Sequence, residues 1–311
     1  MSDKVLLLVA ALTSISWGLT GIFVRLLPPI SPMLVAAGRL FIALLVTLPI
    51  ILLLRNRQYG LAIVCKRPIA YALAALLVAY YLLATVAFQL APVAEVALLL
   101  STPPLFVLVL RWLYGHKPAM LEVAGALLAL AGMLIIMLPK IVQSGQLSLA
   151  QIMGDIAAIA AASTTALYAF AYKQLTEQGK APEASGVALL TFTLGSFILA
   201  LIFAVNATPA DFVLLDARAV YLFIGLGVLS TAVPTFGFAV ASKRLPAIIT
   251  ASISLFIPLF AGLFAYLLLT EQLNLNFLLG SLMVIVGVIM IIRRANSKTT
   301  KADTLKPASL C

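Results

Sequence analysis

Apolar residues run along this chain in long uninterrupted blocks, and polar residues collect in the gaps between them. A helix rises about 1.5 Å per residue, so a block of about 20 crosses the hydrocarbon core of a bilayer. Ten blocks reach that length. Five lie near Val5–Val24, Met33–Leu54, Ile69–Phe88, Val93–Leu113 and Met120–Leu138, and five near Ile152–Tyr172, Ser185–Val205, Val220–Val240, Ala247–Leu269 and Phe277–Ile292. Continuous apolar runs, rather than alternation over about ten residues, exclude a transmembrane barrel. The pattern predicts an all-α integral membrane protein of ten transmembrane helices.

The blocks also repeat. APVAEVALLLSTPPLF, from Ala91 to Phe106, returns as LPAIITASISLFIPLF, from Leu245 to Phe260, with Pro92 matching Pro246 and Pro104 matching Pro258. Gly125 and Gly132 are echoed by Gly280 and Gly287. The chain therefore divides into a repeat at 5–138, a second repeat at 152–292, and a polar, basic tail at 295–311 that is expected to be disordered. Five spans are an odd number, so the second repeat is inverted relative to the first, as in many secondary transporters.

Composition agrees with this reading: 64% of residues are hydrophobic, 10% are charged, and the mean hydropathy is +1.18. The short gaps leave no room for a soluble catalytic or nucleic-acid-binding domain. The net charge of +10 instead follows insertion. With the amino terminus inside, the inner side receives Lys4, Arg55, Arg57, Lys66, Arg67, Arg111, Lys117, Lys173, Lys180, Lys243, Arg244, Arg293, Arg294, Lys298, Lys301 and Lys306, and the outer side only Arg25, Lys140 and Arg218. Both termini are thus expected in the cytoplasm, in a cell inner membrane. Lys4 followed by VLLLVAAL has the outline of a signal peptide, but the run continues to Val24 and reads as an uncleaved span.

Chemistry is sparse. Cys65 and Cys311 form no metal or redox spacing, His116 is the sole histidine, and no GxSxG or HExxH occurs. No enzyme, cofactor or metal is expected. Glu122, Asp155 and Glu271 lie near helix ends, where a carboxylate at a helix start is favoured by the dipole. Two ionisable residues lie deeper. Arg39 is about seven residues into span two and Glu95 near the outer end of span four, at similar depth, which allows them to pair. Arg39 reads either as a lock between helices or as a receptor for an anionic group. Polar and aromatic residues also gather in mid-span: Trp17 and Thr20, Tyr80 and Tyr81, Thr102, Tyr168, Thr235, and Ser254. Together with Arg39 and Glu95 these are the candidate substrate-binding residues of a cavity lined by spans one, three, four, six, eight and nine. Pro104, Pro234 and Pro258 kink their spans.

These features resemble the drug/metabolite transporter superfamily, in its ten-span branch with two EamA-type repeats. The resemblance is carried by SWGLTGIFVRLLPPISPMLVAAGRLFIALL in the first half and PLFAGLFAYLLLTEQLNLNFLLGSLMVIVGVIMI in the second. The first repeat departs at Lys117, where a Glu is common. The segment PVAEVALLL with Pro104 is similar to the aromatic amino-acid exporters of that superfamily. The resemblance implies a secondary transporter of small metabolites, foremost an exporter of amino acids or related compounds by alternating access. Uptake or facilitated passage of another organic solute is the alternative, with a channel further off. Its partners are a small-molecule substrate and membrane lipid, with no nucleic acid, as a monomer or a homodimer.

Overall fold

The computed structural model describes residues 3–53, 66–91, 93–115, 118–143, 149–206, 216–269 and 275–304. Among them, seven helices are long and apolar enough to cross a membrane, and the shorter apolar helices Ala11–Leu26, Met120–Gly132 and Leu278–Ile291 complete the ten. Six spans are continuous: α2 (Pro32–Leu53), α3 (Pro68–Leu90), α5 (Met120–Gln143), α6 (Leu149–Glu177), α7 (Ala184–Asn206) and α10 (Leu275–Thr304). The backbone of α10 stays helical to Thr304, well into the segment expected to be disordered from Ala295. Residues 305–311 lie outside the described residues.

Four spans are broken in mid-membrane. Span one is α1a (Asp3–Gly18) and α1b (Thr20–Leu26), and span four is α4a (Val93–Leu99) and α4b (Pro103–Leu113). Span eight is α8a (Ala217–Gly227) and α8b (Val233–Arg244), joined by a π turn at Val228–Ala232. Span nine is α9a (Ala247–Ser252) and α9b (Ile257–Leu269), joined by a 3-10 turn at Ile253–Phe256. Prolines account for three of the breaks, because each removes a helix donor and crowds the preceding turn. These are Pro103-Pro104, Pro234 and Pro258. Span one breaks beside Gly18, where an added Cβ would lie 2.7 Å from Phe260 Cβ. Glycine there lets span nine approach.

Local chemistry sets the helix ends. Asp216 caps α8a by accepting from Ala219 N at 2.7 Å. Glu122, in the first turn of α5, accepts from Ala119 N and from Arg111 Nη1, both at 3.0 Å, which is the capping role its position suggests. Gly179, at φ 68°, ends α6 in a Schellman motif in which Lys180 N donates to Leu175 O at 2.8 Å.

Contacts between chain turns show the inversion. Gln89 at the end of α3 donates to Ile30 O in the turn after span one, at 3.0 Å. Beside that end of α3, a Cβ on Gly154 near the start of α6 would lie 2.9 Å from Ala91 Cβ. Span six therefore starts on the face where span one ends. On the opposite face Arg67, ahead of α3, donates to Lys180 O, between α6 and α7, at 3.2 Å.

The repeats pack in twofold-related pairs: span one on span eight as span six on span three, and α5 on α10. In the last pair an added Cβ on Gly125 would lie 2.7 Å from Gly287 O, and one on Gly132 would lie 2.6 Å from Gly280 O. Each glycine of one repeat thus faces the opposite glycine of the other, as a twofold requires. These small residues let the two helices pack closely within the chain. Large apolar side chains such as Leu53, Phe197 and Val205 stand exposed on the outside, which suits a lipid surround.

Candidate functional site

The site begins with a missing hydrogen bond. In a regular helix the carbonyl of Ser230 would accept from the N–H of residue 234, which is a proline and has none. Span eight adjusts through the π turn, and the first repeat supplies the missing donor. Arg39 of α2 donates through Nη2 to Ser230 O at 2.8 Å and through Nε to Thr231 Oγ1 at 2.7 Å. Thr231 can accept because its own proton goes to Leu226 O, at 2.8 Å.

Arg39 is only 1% exposed. Its guanidinium carbon stands 4.6 Å from the centre of the Tyr81 ring, and its Nη1 has no hydrogen-bond partner among the described residues. Among the described residues no carboxylate pairs with it. A desolvated cation–π contact contributes about 2 kcal/mol and each charge-assisted hydrogen bond about 1.5–3 kcal/mol, which offsets part of the cost of burying the charge.

Next to it lies the pseudo-twofold axis. Tyr81 OH is 2.5 Å from Thr235 Oγ1, and these residues are 154 apart in sequence, the same interval that separates Pro92 from Pro246. Repeat-equivalent residues can touch only at the axis relating them. The contact therefore marks the centre of the molecule.

Aromatic rings continue from this centre. Tyr80 contacts Tyr81 edge-on at 5.1 Å and Trp17 at 5.5 Å. Trp17 meets Phe238 at 5.1 Å, and Phe238 stacks on Tyr168 at 5.5 Å. Tyr168 meets Tyr172 edge-on at 5.4 Å, and Tyr172 OH donates to Pro182 O at 2.9 Å, at the face that carries Arg67 and Lys180. These rings are buried. Among the described residues the hydroxyl of Tyr168 has no hydrogen-bond partner.

A second crossing follows the same rule as the first. Pro258 leaves Ser254 O without its helical donor, and Ser101 Oγ of span four lies 2.7 Å from that carbonyl and equally close to Ala97 O. Ser254 Oγ itself donates to Ala251 O at 2.7 Å. Thr102 Oγ1 donates to Leu99 O at 2.7 Å, the carbonyl orphaned by Pro103.

Of the residues singled out from sequence, Trp17, Arg39, Tyr80, Tyr81, Tyr168 and Thr235 form this one connected cluster. Thr20 is buried, and its hydroxyl has no partner among the described residues. Thr102 and Ser254 lie at the span four–span nine crossing. The side chain of Glu95 is outside the described residues, as are His116, Lys117, Glu271 and both cysteines. The partners found for Arg39 are in span eight and the Tyr81 ring. Sequence reading missed Phe238, a ring in an apolar run, and the roles of Ser230 and Ser101. Counting four residues back from Pro234 would have found the first carbonyl.

The profile of the EamA-like transporter family matches residues 4–138 and 152–293. The chain belongs to the EamA-like transporter family. It is accordingly a membrane transporter of small solutes, with lipid around it and a small molecule as its cargo. A crystal structure described only as that of a protein superposes with TM-score 0.75 over 94% of this chain and 99% of that one, at 19% identity. That likeness is one of fold. No curated protein matches the sequence. The two EamA repeats coincide with the halves related by the Tyr81–Thr235 axis, so this family member holds its buried charge and rings at the interface of its repeats.

Proposed function

We propose that this EamA-type chain is a secondary transporter that exports small metabolites, foremost amino acids or related compounds, by alternating access. It would sit in the cell inner membrane with both termini cytoplasmic. One observation carries the reading: two polar contacts between the inverted repeats, Arg39 to Ser230 O and Ser101 to Ser254 O, fall on carbonyls that prolines have released. Such contacts join the repeats without taking a donor away from a helix turn, and inverted repeats supply two equivalent arrangements around one site. Trp17, Thr20, Arg39, Tyr80, Tyr81, Glu95, Thr102, Tyr168, Thr235 and Ser254 are proposed to line the path.

The test is counterflow in proteoliposomes. A carrier preloaded with unlabelled amino acid should draw labelled amino acid in transiently, with saturation. Linear, non-saturating flux would favour a channel, and counterflow by a different solute class would reassign the cargo. In a background lacking Cys65 and Cys311, single cysteines at Gln146 and Ser297 should label from outside and inside respectively. Labelling of both from one side would overturn the topology.

A further inference from the structure

We propose that Arg39 is the receptor for the carboxylate of the transported solute, and that this carboxylate competes with Ser230 for the guanidinium. The proposal deepens the transporter reading and rests on it for where the site leads. Arg39 is the buried cation nearest the axis, and among the described residues it has no acid partner and its Nη1 is an unused donor. A guanidinium presents donors in a planar fork that matches two carboxylate oxygens. Here Nε and Nη2 are held by neutral acceptors of span eight, which bind a cation less strongly than a carboxylate does.

A carboxylate reaching Nη1 would complete the fork by taking Nη2 from Ser230 O. That exchange loosens the first repeat's hold on the π turn at the moment the cargo is bound. The carbonyl left behind lies within the π turn, where the helix is already irregular. The apolar remainder of the solute would be received by the rings of Trp17, Tyr80 and Phe238, close to the Tyr81 ring under Arg39. No described acid stands at this cluster to require an ammonium group. The recognised class is therefore a small carboxylate with an apolar tail, with or without an amine.

The rings provide the readout. Trp17 and Trp112 are the only tryptophans, and Trp112 is 63% exposed on α4b. Trp112→Phe therefore leaves Trp17 as the sole indole reporter. This variant in lipid nanodiscs is titrated with phenylalanine, 3-phenylpropionate, 2-phenylethylamine, hexanoate and hexylamine. Expected is saturable change in Trp17 emission with the acids, at least about tenfold tighter than with the amine of the same tail. Arg39→Gln in the same background should abolish the response, and Arg39→Lys should weaken it by losing the fork. Amines binding as tightly as their acids would overturn the proposal, as would Arg39→Gln leaving acid affinity within about twofold. The acid–amine comparison needs no change at Arg39, so it stands even where that variant fails to fold. Equal counterflow of acid and amine would leave the transporter reading intact and remove this one. Acid-selective binding without any flux would do the reverse.

Discussion

Span three is one unbroken helix, Pro68–Leu90, whereas span eight, its counterpart in the second repeat, is interrupted by a π turn and Pro234. The difference runs through the molecule. Aligning Pro32 at the head of α2 with Pro182 just ahead of α7 places Leu189 opposite Arg39. The charge thus sits in the first repeat and the break that receives it in the second. Duplication gives the twofold pairing of helices, shown by the two glycine crossings and by Tyr81 on Thr235. The site is made where the twofold fails. A symmetric bundle has two equal ways to open, and the buried charge is where this centre departs from that symmetry.

Removing the charge should break the comparison most severely. Arg39→Gln gives up two charge-assisted hydrogen bonds and the contact with Tyr81. It is expected to lower stability by about 3–5 kcal/mol and flux by more than about tenfold. Melting in detergent and initial rates in proteoliposomes measure the two. Leu189→Gln, at the equivalent place in the second repeat, should spare the Arg39 contacts and keep most of the flux.

The symmetric part should respond symmetrically. Gly132→Ala and Gly125→Ala each drive a methyl into a backbone carbonyl of α10. Each is expected to cost about 1–3 kcal/mol, similar to the other within the error of a thermal melt. A large cost at one and none at the other would mean that the two crossings are not equivalent. Smaller again is Thr231→Val, which keeps the shape but removes the acceptor for Arg39 Nε and the bond to Leu226 O. A loss of about 1–2 kcal/mol is expected, read by the same melt.

How far the sequence could be read follows from what its signals measure. Ten spans and two repeats are legible because lipid demands long apolar blocks, and prolines and glycines mark their register. The gathering of Trp17, Tyr80, Tyr81, Tyr168 and Thr235 is legible because polar and aromatic side chains in mid-span seek the interior. The surroundings of Arg39 were harder. Depth along the membrane suggested Glu95, whose side chain lies outside the described residues. The partners from span eight were hidden because depth says nothing about which side of a helix a residue occupies, and α2 packs on α7 and span eight. Phe238 carries no periodic signal in its apolar run. The helix that continues from Ala295 to Thr304 was hidden because a polar, basic composition alone does not distinguish helix from coil.

The claim that the charge of one repeat is matched to the break of the other is tested most directly by a double-mutant cycle of Arg39→Gln with Pro234→Ala, read as melting of the purified protein in detergent. Pro234→Ala supplies an N–H for Ser230 O. With Arg39 present that carbonyl already has its donor, so the change should be neutral or destabilising by up to about 1 kcal/mol. With Arg39 removed the carbonyl is orphaned, and the same change should stabilise by about 1–2 kcal/mol. A reversal of sign between the two backgrounds is the expected result. The same effect of Pro234→Ala in both would contradict the account.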